Sequence, residues 1–163
     1  MMVMFFFGMG ASALLVATTQ GPWTMAAALT LMGAFSSIYH PVGIPMLVQG
    51  APNPGRTIGF NGLVGNLGIA IAALVTGFLV KFVGWRMAFA LPGLVSLAAG
   101  WLLARGKPQA ALHTLIYGVW VIITLVAVIN GGIRVPLVYA YPLVILTTGW
   151  MVSSRAAIIV TLD

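Results

Sequence analysis

The feature that most limits what this chain can fold into is where its charges fall. Long apolar runs follow one another along the sequence, and charged side chains stand singly at the breaks between them. Crossing about 30 Å of hydrocarbon takes about 20 apolar helical residues. Six stretches come near that length: 1–19, 23–49, 57–80, 86–104, 110–129 and 135–152. The breaks carry turn chemistry, in Gln20-Gly21-Pro22, GAPNPGR (50–56), Gly84, Arg105-Gly106-Lys107-Pro108 and Asn130-Gly131-Gly132. Pro41 and Pro45 are expected to kink the second span. Loops this short make neighbouring helices antiparallel, while 156–163 is too short to cross. The expected fold is all-α, a polytopic transmembrane helical bundle of about six spans.

Composition agrees. Of 163 residues, 61% are hydrophobic and 5% charged, where a soluble domain carries about a quarter charged. A net charge of +6 would suggest nucleic acid in a soluble protein. Here Arg56, Lys81, Arg86, Arg105, Lys107, Arg134 and Arg155 are scattered without a basic cluster. They orient helices in a bilayer, so lipid and no nucleic acid is the expected partner. With an inside N-terminus, Arg56, Arg105, Lys107 and Arg155 fall on the cytoplasmic side, and Lys81, Arg86 and Arg134 outside. The expected location is the inner cell membrane, crossed several times. The opening MMVMFFFGMG has no basic n-region and no cleavage site, so no signal peptide is read.

Catalytic signals are missing. The absence of cysteine excludes disulfides and thiolate metal sites. There is no GxxxxGK[ST] and no metal-ligating cluster, so neither cofactor nor metal is expected. Ser36 or Ser37 with His40 makes a serine–histidine pair, yet no carboxylate orients it. The chain is not expected to be an enzyme.

Two spans carry polar or small residues on defined faces. On the second, Thr30, Gly33, Ser36, Ser37, His40 and Gly43 recur at helical spacing, opposite Leu29, Met32, Phe35, Val42 and Met46. Lipid cannot satisfy such a stripe, so it must face other helices or water. Ser36 and Ser37 either bond to their own preceding turn or line a path. His40 either bonds a backbone carbonyl freed by Pro41 or Pro45, or handles substrate or protons, since imidazole titrates nearest neutrality. On the third span, Phe60, Val64, Leu67, Ile71, Leu74 and Phe78 form a bulky stripe that is assigned to lipid. Gly59, Gly62, Gly65 and Gly68 occupy the remaining faces and are expected to pack closely against other helices. Asn61 and Asn66, about 140° apart on a helix, cannot serve one partner together and suit interhelical bonding or a cavity wall.

The stretch G-A-F-S-S-I-Y-H-P-V-G-I-P (33–45) resembles the fourth transmembrane helix of major facilitator superfamily transporters, in the form of the fosmidomycin-resistance-like branch. G-R-T-I-G-F-N-G-x-x-G-N-x-G (55–68) is similar to the start of that family's fifth helix, and G-W-R-M-A-F (84–89) to the turn into its sixth. The resemblance covers 1–107 and implies helices three to six of an N-terminal half. The family's first two helices and its glycine- and Asp/Arg-rich loop are not in the sequence. It implies a transporter fragment that moves a small molecule by alternating access, with His40, Ser36, Ser37 and Asn66 along the path. Missing transporter helices or an oligomeric partner would complete it. Residues 108–163 are set apart as two further spans and a tail, in which N-G-G-I-R-V-P-L-V-Y-A-Y-P-L (130–143) resembles the membrane-sensor region of bacterial histidine kinases. That implies a competing reading as a sensor or anchor domain. An inactive truncated or fused gene product is a third.

Overall fold

A computed structural model describes residues 1–49 and 51–129, together with Pro142 and Ile145. Within these residues the chain folds as α1 (Met2–Thr18), α2 (Pro22–Ser36), α3 (Tyr39–Val48), α4 (Pro54–Phe82), α5 (Trp85–Ala104) and α6 (Pro108–Ile129). The all-α membrane bundle is therefore the fold. The expected span at 135–152 and the kinase-like stretch at 130–143 lie outside the described residues, Pro142 and Ile145 excepted.

The second span departs from the expectation of one kinked helix. It breaks at Ser37–Ile38, and α2 and α3 together make a 27-residue crossing. Proline supplies the cause. Pro41 has no N–H for the Ser37 carbonyl four residues back, and Pro45 has none for Pro41. The turn tightens instead, with the Ile38 amide donating to the Phe35 carbonyl at 3.2 Å. Ser37 and Ile38 both keep right-handed helical angles, so the chain is interrupted without reversing.

Helix α4 begins three residues before its expected start because Asn53 caps it. The Asn53 Oδ1 accepts from the Arg56 amide at 3.1 Å, and Pro54 sits where no N–H is needed. Two glycines make the following turns. Gly84 has φ 106° and Gly106 φ 69°, both in the left-handed region that suits glycine. At Gly106 the Lys107 amide reaches the Leu102 carbonyl and the Gly106 amide reaches Leu103, each at 3.0 Å. That is the Schellman closure of a helix end.

Helices α1 and α5 form the central pair, with α2 on α1 and with α4 and α6 on α5. Glycine permits the approach. A Cβ added at Gly10 would sit 2.8 Å from the Gly93 carbonyl oxygen; one at Gly93, 3.1 Å from the Ala13 Cβ; one at Gly100, 3.3 Å from the Phe7 amide nitrogen. Between apolar helices in lipid, association comes from such van der Waals contact and from interhelical hydrogen bonds. Ser96 adds one of the latter, donating to the Phe6 carbonyl at 2.9 Å. A second cluster joins α4 to α6: Leu79, Ile122, Ile123 and Val126 are buried, with Ile71, Val75, Phe78 and Ile145 packed around them.

Three cations at helix ends rest on aromatic faces. Lys81 Nζ lies 5.1 Å from the Phe82 ring, and the guanidinium carbons of Arg86 and Arg105 lie 4.7 and 4.0 Å from the rings of Trp85 and Trp101.

Candidate functional site

The stripe on α2 and α3 keeps its polar groups at the surface of the chain. Ser36, Ser37 and His40 are all exposed. The serines are satisfied locally, Ser36 Oγ donating to the Gly33 carbonyl and Ser37 Oγ to Ala34, each at 2.8 Å. Thr30 does the same toward Ala26. Each hydroxyl proton is thus occupied, while its lone pairs remain available to a ligand or water.

His40 is placed differently from its neighbours. Its imidazole has no hydrogen-bond partner among the described residues, and the carbonyls left free by Pro41 and Pro45 do not hold it. Its ring meets the Tyr39 ring edge-on, with centroids 5.7 Å apart. Gly43 does not share that open face. It is buried, and a Cβ there would sit 2.9 Å from the Tyr39 ring.

Tyr39 is the joint of this region. Its hydroxyl donates to Asn61 Oδ1 on α4 at 3.3 Å, and its ring packs 5.9 Å from that of Phe5 on α1. Asn61 is thus an interhelical bonding residue. Asn66 is exposed on α4, and no hydrogen bond links it to His40 or the serines.

Within this chain the two rows of α4 differ in exposure. Gly59, Gly62, Gly65 and Gly68 are exposed, and a Cβ added at any of them would meet nothing within 4 Å. Of the bulky row, Phe60, Val64, Leu67, Ile71 and Phe78 are half-buried, and Leu74 is exposed. Bulky apolar residues suit lipid and helix neighbours equally, since lipid tails are as apolar as leucine. Ile71 and Phe78 of that row pack, with Leu79, against Ile122, Ile123 and Val126 of α6.

A cleft of about 400 Å³ lies between α4, α5 and α6, with Thr76 and Ser96 the polar side chains in its described lining. None of His40, Ser36, Ser37 or Asn66 reaches it. Its apolar walls offer little to orient a polar solute. The polar face of α2–α3 is the better candidate.

One comparison with known proteins bears on this geometry. The chain matches the sequence model of the Major Facilitator Superfamily over residues 1–162. The chain belongs to the Major Facilitator Superfamily. No curated protein and no solved structure matches it. The superfamily is one of transporters, and four helices of this member, counting α2–α3 as one, are long and apolar enough to cross a membrane. It is a multi-pass membrane protein. The match extends past residue 107, where the motif resemblance ends, and takes in 130–143. The likeness of that stretch to sensor kinases is not reproduced.

Proposed function

We propose that this superfamily member is part of a secondary active transporter of the inner cell membrane, moving a small molecule by alternating access. One observation carries the reading. Within a membrane crossing, Ser36, Ser37 and His40 stand exposed on one side of the chain. A polar row at that depth is costly against lipid, so it faces water or further protein. On this reading His40, Ser36, Ser37 and Asn66 line the path. The open glycine face of α4 receives a neighbouring helix from the rest of the transporter or from an oligomeric partner.

Water access tests it. The chain has no cysteine, so single cysteines can be read without background. In reconstituted membranes, Ser36→Cys and His40→Cys are expected to react with a hydrophilic, charged thiol reagent. Leu31→Cys is expected to stay inert, being 43% exposed but on the far side of α2. Equal inertness at all three positions would overturn the reading.

A further inference from the structure

Helix α3 is the most weakly held element of the described chain. It has ten residues, of which Gly43 is the one buried residue, and it packs against α4 and, more sparingly, α1. Its upstream end is the break at Ser37–Ile38, where Pro41 lacks the N–H that would bond back to the Ser37 carbonyl and so loosens the joint to α2. Among the described residues, a single side-chain hydrogen bond ties α3 to another helix: that from the Tyr39 hydroxyl to Asn61 Oδ1.

We infer that Tyr39 and Asn61 form a latch that fixes the rotation of α3 on α4 and thereby sets which way His40 faces. Tyr39 and His40 are adjacent, so they diverge by about 100° around the helix axis. With Tyr39 drawn toward α4 and Asn61, His40 is held out on the exposed side. The absence of a side chain at Gly43 gives the Tyr39 ring the room to lie back along α3, because a Cβ would meet it at 2.9 Å. Phe5 closes the other side of the ring, at 5.9 Å. Three independent features therefore converge on one phenol. The hydroxyl–amide bond is the component that can open without unpacking the bundle, since neither partner is a charge and the break at Ser37–Ile38 supplies the pivot. Tyr39 and Asn61 are positioning residues in this account. The inference rests on the packing of α3 and stands apart from the transport reading.

Distance measurements between spin labels in lipid nanodiscs test it on the full chain. One label pair reports α3 against α4, at Met46 and Leu63, which are 60% and 62% exposed. A second pair, at Leu15 and Leu94, reports α1 against α5 and serves as the fold control. A narrow α3–α4 distribution is expected for the unsubstituted pair. Tyr39→Phe, which removes one oxygen, should broaden or split it, and Asn61→Leu should do the same. The double variant should go no further than either single one, and Asn61→Gln, which keeps an acceptor, should restore the narrow peak. The α1–α5 distribution should stay unchanged throughout. An α3–α4 distribution that remains narrow in both Tyr39→Phe and Asn61→Leu would overturn the latch. So would broadening of both label pairs together, which would make Tyr39 an ordinary part of the fold. Thiol reactivity at position 40 separates this from the transport reading, because a latch can fail while His40→Cys remains water-accessible.

Discussion

The Arg86 guanidinium donates from Nη2 to the Thr19 carbonyl at 3.1 Å, joining the start of α5 to the end of α1 across 67 positions of sequence. Thr19 is the residue that closes α1, so this carbonyl belongs to the negative end of that helix. The same arginine lies over Trp85. Named in the sequence among the cations that orient the helices, it also clasps the central helix pair.

Replacing Arg86 with Ala is expected to destabilise the chain by about 1 kcal/mol, the lower part of the range for a charged hydrogen bond, because the side chain is exposed. Arg86→Lys should recover part of the loss. Denaturation of the detergent-solubilised protein measures both, and an unchanged midpoint for Arg86→Ala would show the contact to be inert.

Glycine substitutions should divide by helix. Gly10→Leu and Gly93→Leu thrust a branched side chain against backbone and are expected to cost at least about 1–3 kcal/mol or to prevent folding. Gly62→Leu and Gly65→Leu point into open space and should leave the stability of the chain near that of the parent. Thermal melting of the four variants side by side decides it. The opposite ranking would return the packing seam to α4.

Ser96→Ala should matter less than either seam glycine. Interhelical hydrogen bonds within membranes average about 0.6 kcal/mol, so losing the bond to the Phe6 carbonyl should produce a small shift. A loss as large as that of Gly93→Leu would mean that polar contact, rather than close approach, holds α1 to α5.

His40→Leu tests whether the imidazole supports the fold. It has no hydrogen-bond partner among the described residues and it is exposed, so His40→Leu and His40→Gln should both melt within about 0.5 kcal/mol of the parent. A marked loss for Leu that Gln avoids would show a bonded, structural histidine.

Orientation is open to the same cysteine chemistry used above. With an inside N-terminus, Gln20→Cys and Lys81→Cys should react with an impermeant reagent added outside intact cells, and Asn53→Cys should not. The reverse pattern would invert the topology.

Spans were readable in the sequence because crossing a membrane is a matter of length and charge, and both are local. The limits of α1, α5 and α6 fall within two residues of those expected. Faces were harder. The period of α4 divides it correctly into a bulky row and a small one, yet it cannot say which row has a protein neighbour, since hydrocarbon surrounds either. The α1–α5 seam had left a trace in Gly93 and Gly100, which lie seven apart and so on one helix face, with Gly8 and Gly10 in the first span. The interruption at Ser37–Ile38 was foreseen as a bend because proline chemistry places the fault without giving its size. Asn53-Pro54 was read as a turn, when a capping residue followed by proline also starts a helix. Tyr39 could not be singled out, because its partner lies 22 residues away on another helix.

The way the helix ends hold their cations has a bearing on solution conditions. Lys81, Arg86 and Arg105 lean on aromatic rings, and Arg86 on a carbonyl as well. Neither kind of acceptor takes up a proton on mild acidification, and the sequence contains one carboxylate side chain, at Asp163. These clasps therefore hold unchanged from mildly acid to neutral buffer, where a carboxylate-based clasp would begin to weaken.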